Sequence, residues 1–361
     1  MTLQSPRQGK TPDRFSWALV GLTAGFVLTF SLVGVLLHAI VRDLTASWTG
    51  TGLNPFAPAA GVSSEGLPLP PGVPTEAQPL PEVTPAPWNG YSRVTILLMG
   101  LDYRDWQAGI GAPRSDSMML ISVDPITLQV GMLSIPRDLW VEIPGFAHNR
   151  INTAYSSGEG NRLPGGGPGL AMRAVESVIG VPIQYYVVLD FATFERMIDE
   201  IGGVDVLVTE RIKISPIGRD SLWLDAKPYH LDGAEALAYA RTRKGGGGDF
   251  SRAERQQQVA MAILDRVTGF NMIPTLVVKA PVLYQQLSSG VRTNLSLEEM
   301  IGLAWLAARI PRENFLSEVI SPPNMVGFYT RPDGAQVLRA VPDAIRELRD
   351  RMFVDTSAVG P

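Results

Sequence analysis

Two charged stretches, far apart in the 361-residue chain, carry residue types suited to phosphate chemistry. The first runs from Arg93 to Asp138. It sets Asp102 near Arg104, Arg114 near Asp116, and Arg137 beside Asp138. The second reads Arg241-Thr242-Arg243-Lys244, then a glycine run, then Asp249-Phe250-Ser251-Arg252-Ala253-Glu254-Arg255-Gln256. Guanidinium groups grip phosphate oxygens through paired, charge-assisted hydrogen bonds. A hard cation such as Mg²⁺ is usually held by one or two carboxylates together with substrate phosphates. Each residue also has a plainer use. Asp102 and Asp116 suit turns, where they bond local backbone. Arg137 can form a salt bridge with Asp138 or Glu142, and the second stretch can be a solvated basic face. The run Gly245–Gly248 is no Walker loop, because no Gly-Lys-Ser/Thr follows it. Asn149-Arg150-Ile151-Asn152 adds another cation with two amides.

Positioning such groups requires a rigid sheet. Apolar runs at Val94–Met99, Met118–Val123 and Val130–Ile135 predict strands, with Asp124-Pro125 as a turn between the last two. If the first two strands are antiparallel neighbours, Asp102 and Asp116 fall at one sheet edge. Pro136 blocks strand continuation and puts Arg137 on a defined turn. A short strand is expected at Leu139–Ile143, and others at Tyr185–Leu189 and Val204–Val208. Helices are expected at Gly169–Ile179, Phe191–Ile201, Gly233–Ala240 (capped by Asp232), Phe250–Phe270, Leu276–Leu287, Leu297–Ala308 and Gly334–Arg351. If the chain leaves its helix at Ala240, Arg241 and Arg243 point to one side of an extended segment. Ser251 to Glu254 has a capping-box pattern, which predicts a helix start at Arg252 with Arg252, Arg255 and Gln256 on one face. Strands alternating with helices indicate an α/β domain, and three successive strands without a helix indicate a mixed sheet.

Composition narrows the class. Hydrophobic residues make up 45%, as in a globular protein, and the net charge of -4 gives no global signature of nucleic-acid binding. Cysteine is absent, which excludes disulfides, thiolate catalysis and cysteine-based zinc sites. Histidines are only three and scattered. Residues 1–14 form a short polar tail with Arg7, Lys10 and Arg14. Residues 15–41 are almost wholly apolar, longer than the roughly 20 residues that span a bilayer and too long for a signal-peptide core. The cations before the span place the N-terminus in the cytoplasm and the remainder outside. Residues 42–90 form a Pro-rich extracytoplasmic linker. A core over 91–270 and a helical C-terminal part over 271–361, packed on that core, complete the expected organisation.

The charged clusters resemble the LytR–CpsA–Psr family of cell-envelope phosphotransferases. The resemblance rests on L-L-M-G-L-D-Y-R (Leu97–Arg104), R-S-D-S (Arg114–Ser117), L-S-I-P-R-D (Leu133–Asp138) and R-I-N-T-A-Y (Arg150–Tyr155). It continues in family order through D-E-I-G-G-V-D-V (Asp199–Val206), L-D-G-A-E-A-L-A-Y-A-R-T-R (Leu231–Arg243) and D-F-S-R-A-E-R-Q-Q (Asp249–Gln257). It implies an α/β/α sandwich around a mixed β-sheet, with an apolar cavity for a polyprenyl chain, behind a single transmembrane helix. It implies transfer of a glycopolymer from a polyprenyl-linked (pyro)phosphate carrier to peptidoglycan, with Mg²⁺ or Mn²⁺. Asp102 and Asp116 are then the metal carboxylates. Arg114, Arg137, Arg150, Arg241, Arg243, Arg252 and Gln256 are the pyrophosphate ligands, and Arg137, Asp102 and Asp138 carry catalysis. Arg150 stands where many members have Lys, and the loop Asp105–Pro113 is longer than expected. Asp138, Asp249 or the substrate's own phosphate would take the acceptor's proton. A non-catalytic carrier-binding protein and a membrane-linked transcriptional attenuator are the competing readings. About fourteen cytoplasmic residues are too few for a DNA-binding fold, by the topology that the charge bias gives.

Overall fold

The structure is a computed structural model that describes residues 90–101, 112–243, 247–269 and 290–353, with isolated positions from 272 to 279. The expected span at 15–41, the linker and Asp102 lie outside the described residues, as does most of the helix expected at Leu276–Leu287. Among the described residues, no helix is long and apolar enough to cross a membrane.

The apolar runs form strands because alternate residues serve two cores. In β1 (Val94–Leu101), Leu97, Met99 and Leu101 face one side, while Leu98 packs on the other. In β2 (Ser115–Asp124), Met118 and Leu120 join the first core and Met119, Ile121 and Val123 the second. β2 runs antiparallel to both β1 and β3 (Gln129–Ser134). The turn between β2 and β3 is set by Asp124. Its Oδ1 accepts from the Ile126 and Thr127 N–H groups at 2.8 and 3.1 Å, and its Oδ2 pairs with Arg93 at 2.9 Å.

Short hairpin strands β4 (Trp140–Glu142) and β5 (His148–Arg150) follow, then helices α1 (Thr153–Gly160) and α2 (Gly166–Ile179). Gly180, at φ 76°, stops α2 as the sequence predicts. Strand β6 (Tyr185–Asp190) then returns parallel to β1. Next come α3 (Phe191–Glu200), β7 (Val204–Leu207), β8 (Ile212–Ile214), β9 (Leu222–Leu224), β10 (Pro228–Leu231) and α4 (Gly233–Arg241). Asp232 caps α4 in a full capping box with Glu235. Helix α5 (Gly248–Gly269) begins earlier than its capping-box pattern predicts, and the Ser251 hydroxyl donates to the Gly248 carbonyl rather than capping.

The C-terminal part corrects the expectation of a helical annex. β11 (Val291–Thr293) pairs with β6, and β12 (Phe315–Val319) pairs parallel with β3. The six-stranded mixed sheet, ordered β11-β6-β1-β2-β3-β12, therefore draws both its edges from beyond residue 270. α6 (Leu297–Arg309) lies between them in sequence. The stretch expected as one helix over Gly334–Arg351 is instead a strand and a helix. Strands β13 (Val326–Thr330) and β14 (Gln336–Ala340) make a hairpin, and α7 (Pro342–Met352) follows. Pro342 is the physical divider. It cannot continue a hydrogen-bonded ladder, but it suits the first position of a helix. Residues of α1, α2 and α7 pack on one face of the sheet, and residues of α5 and α6 on the other.

Candidate active site

The site grows from an irregularity between β1 and β2. Gly100 pairs with Ser117, but the next residue, Leu101, pairs with Ser115. Asp116 is therefore the extra residue of a β-bulge, a device that re-aims a side chain at the end of a ladder. Residue 102 follows directly on Leu101, so the antiparallel pairing expected to bring both aspartates to one edge is present in the backbone up to Leu101.

Arg137, just past β3, reaches across this edge. Its Nη1 donates to Asp116 Oδ1 at 3.2 Å and its Nε to Asp249 Oδ2 at 3.2 Å, and Asp138 Oδ2 lies 3.6 Å from Nε. The salt bridge foreseen with Asp138 is thus one part of a larger arrangement. Burial disfavours the charged guanidinium, but the fields of Asp116, Asp249 and Asp138 outweigh it and raise the pKa above its ordinary value. Asn152 also donates to Asp116 Oδ1, at 3.3 Å.

Helix α5 supplies the other half. Because it starts at Gly248, Asp249 sits in its first turn, where a carboxylate complements the helix dipole. Arg252 lies one turn on, only 7% exposed. It donates to the Asp116 carbonyl at 3.1 Å and approaches Asp249 Oδ1 at 3.4 Å. Burial lowers its pKa, Asp249 opposes that, and Arg243 and Arg137 add to the lowering. Arg243 Nε lies 3.0 Å from Asp249 Oδ1, close enough for ion pairing, although that oxygen meets no partner in hydrogen-bonding alignment. Gln256 is fixed from both ends, accepting from the Ser117 hydroxyl at 2.6 Å and donating to the Ala240 carbonyl at 3.2 Å.

Asp116, Arg137, Asp138, Asp249, Arg252 and Gln256 line a cavity of ≈ 340 Å³. The two distant stretches therefore meet. Arg150 stands beside them, its Nε 3.2 Å from Asp138 Oδ1 and its Nη2 donating to the Gln336 carbonyl at 2.9 Å. One arginine differs from expectation. Arg241 is the last residue of α4 rather than part of an extended segment, and its guanidinium lies 4.4 Å over the Phe191 ring. Arg114 is exposed just before β2. The charge pattern gave no sign of Phe328, Gln336, Val337 and Leu338, which the β13–β14 hairpin brings to the cavity wall. Residues 336–340 do not alternate in polarity and read as part of a helical run, so no local signal marked this strand.

Among the described residues, no group of three or more acidic or histidine side chains is arranged to hold a metal. Asp116 offers one carboxylate on the cavity wall, its side chain 38% exposed. One carboxylate completed by substrate phosphates fits a hard divalent cation, so the donor set is compatible with Mg²⁺.

The arginine-lined cavity at the ends of the central strands has residue types suited to a phosphorylated ligand. The model of the LytR_cpsA_psr family matches residues 75–338, and the chain belongs to that family. It is 33% identical over 218 residues to the polyisoprenyl-teichoic acid–peptidoglycan teichoic acid transferase TagT of Bacillus subtilis, covering 59% of this chain and 64% of that one. It is 35% identical over 211 residues to the regulatory protein MsrR of Staphylococcus aureus, covering 58% of each. The matched stretches thus span about three fifths of these relatives' length. Among solved structures, B. subtilis TagV superposes with a TM-score of 0.60 at 29% identity, over 72% of this chain and 96% of that one. TagT bound to LI-WTA superposes with a TM-score of 0.59 at 25% identity, over 76% and 95%.

Proposed function

We propose that this protein is a membrane-anchored phosphotransferase that moves a glycopolymer from a polyprenyl-linked (pyro)phosphate carrier to peptidoglycan. The observation that carries this reading is the Arg137 guanidinium, held between Asp116, Asp138 and Asp249 on the wall of a cavity shared with Arg252. The family membership and the transferase name of TagT support it. In the reaction, a peptidoglycan hydroxyl attacks the phosphorus nearer the glycan. A phosphodiester forms, the bond to the polyprenyl phosphate breaks, and that phosphate leaves with the charge. Arg137, Arg243 and Arg252 would bind the phosphates and offset that charge without rearranging, which is where preplaced donors contribute most. Arg114, Arg150, Arg241 and Gln256 would extend the shell. Asp138 or Asp249 would accept the hydroxyl proton. Asp116, with Asp102, would hold Mg²⁺ or Mn²⁺, which would supply further charge neutralisation at the phosphates.

On this reading the finer architecture is an α/β/α sandwich. Residues 1–14 are cytoplasmic, 15–41 cross the membrane and 42–90 form an extracytoplasmic stalk. The catalytic domain then stands on the outer side with the lipid carrier and the wall. The likeness to the regulatory protein MsrR keeps a regulatory role as the competing reading. The deciding experiment incubates the purified chain with a polyprenyl-pyrophosphate-linked oligosaccharide, Mg²⁺ and a peptidoglycan acceptor. Acceptor-linked glycan, lost with Arg137→Ala, is the expected result. No product from wild type with any such donor, with Arg137→Ala behaving alike, overturns it.

A further inference from the structure

The hairpin β13–β14 brings to the cavity a residue that the phosphate chemistry does not use. Side chains alternate along a strand, so Val326 and Phe328 lie on one side of β13. Val326 is fully buried in the main core, whereas Phe328 is 71% exposed and lines the cavity. The hairpin is tied to the active-site turn. Leu338, paired opposite Phe328, is buried, and its N–H donates to the Asp138 carbonyl at 3.0 Å. Arg150 bridges the Gln336 carbonyl and the Asp138 carboxylate. The backbone that carries Phe328 is therefore fixed to the residue beside Arg137.

Phe328 lines the cavity together with charged and amide groups, Arg137, Asp138 and Gln336, and with apolar ones, Ile135, Phe250 and Val337, so the lining is mixed rather than purely apolar. It suits a ligand with an apolar face and a polar rim. A pyranose ring has that form. Its axial C–H groups are weakly positive and meet the negative face of the phenyl ring, while its equatorial hydroxyls reach the surrounding polar groups. We propose that Phe328 is the stacking platform for a sugar ring next to the reacting phosphate, which makes the C-terminal hairpin the glycan-recognition element of the site. The inference rests on the phosphotransferase reading of the cavity. The sugar belongs either to the donor's glycan or to the acceptor's, and both present the same face.

The test uses the full chain in detergent, as wild type and as Phe328→Ala, Phe328→Leu and Phe328→Trp. A polyprenyl-pyrophosphate-linked disaccharide is the donor and a β-1,4-linked N-acetylhexosamine oligosaccharide the acceptor, each varied in turn. Phe328→Ala is expected to raise KM for one of them by about three- to tenfold, the usual scale of a lost aromatic contact, with kcat within about twofold. Phe328→Trp restores binding and Phe328→Leu does not. The substrate whose KM moves identifies the source of the sugar. Equal KM values for wild type and Phe328→Ala on both substrates overturn the proposal. So does full rescue by Phe328→Leu, because a hydrocarbon contact needs no ring. If wild type transfers nothing, the phosphotransferase reading fails first. Saturation-transfer NMR with the oligosaccharide and with the disaccharide freed of its lipid then decides whether either sugar still meets Phe328. A signal lost in Phe328→Ala upholds the platform, and one absent in wild type or unchanged in Phe328→Ala overturns it.

Discussion

Two charged clusters lie on different parts of the same sheet and end differently. At the β6–β11 side, Glu159 Oε1 accepts from Arg292 at 2.6 Å and from the Gly167 N–H at 3.2 Å, and Arg292 also donates to the Tyr155 hydroxyl at 3.0 Å. Tyr155 is itself fully buried. Each of these groups is matched to a local partner, and the cluster ties α1 to an edge strand. At the β1–β2–β3 edge, Arg137 and Arg252 are also paired, but Asp249 Oδ1, Arg252 Nε and Asn152 Oδ1 are buried without an aligned hydrogen-bond partner. One such atom decides nothing, since Arg255 Nε has the same status one turn along α5 while the rest of that side chain donates to the Thr242 carbonyl. Asp249 Oδ1 and Arg252 Nε belong to residues of the cavity wall. The first cluster is closed on itself, and the second keeps polar capacity beside a cavity.

The sharpest way to break this contrast is Arg137→Ala. It removes the cation shared by three carboxylates, and transfer is expected to fall by about 10²–10³-fold, the scale of losing one preorganised donor at a developing charge. A transferase assay on protein with an unchanged circular dichroism spectrum checks this. A smaller effect is expected in comparing Asp138→Asn with Asp249→Asn. The residue that takes the proton loses about 10²-fold in kcat, while the other mainly weakens substrate binding. Separate measurements of kcat and KM distinguish them, and equal losses would return the proton to the substrate phosphate. In the opposite cluster, Arg292→Met should cost about 1–3 kcal/mol of stability by leaving Glu159 without its main partner. Activity per folded molecule should stay within about twofold of wild type, as the separation of structural from functional clusters requires. Denaturant melts and the same assay test that pair of outcomes. The smallest effect belongs to Arg150→Lys, which keeps charge beside Asp138 but loses the fork that also reaches Gln336. A KM rise of about two- to fivefold with a small fall in melting temperature is expected.

Much of the central sheet was legible in the sequence. Val94–Met99, Met118–Val123 and Val130–Ile135 are largely apolar runs because both faces of those strands are buried, and Asp124-Pro125 marked the turn. The site residues were legible as types, and Asp138 was legible as a partner of Arg137. The more distant partners were not. Asp249 looked like a residue preceding a helix and is instead in its first turn, which turns its carboxylate to Arg137, Arg243 and Arg252. Arg241 looked like the neighbour of Arg243 and is instead the end of α4, stacked on Phe191. A shift of one residue at a helix end redirects a side chain by about 100°, which periodicity does not resolve.

The sequence by itself determined the strand-forming core, the two basic stretches and the apolar N-terminal run. Local patterns write these down because burial and charge act residue by residue. The tertiary structure alone decided three things. The bulge re-aims Asp116, the edge strands β11 and β12 close the sheet from beyond residue 270, and the β13–β14 hairpin lays Phe328 over the cavity. The edge strands pair with segments far away in the chain, the hairpin docks through the Leu338 N–H on the Asp138 carbonyl, and the bulge is a matter of strand register, which no short window of residues contains.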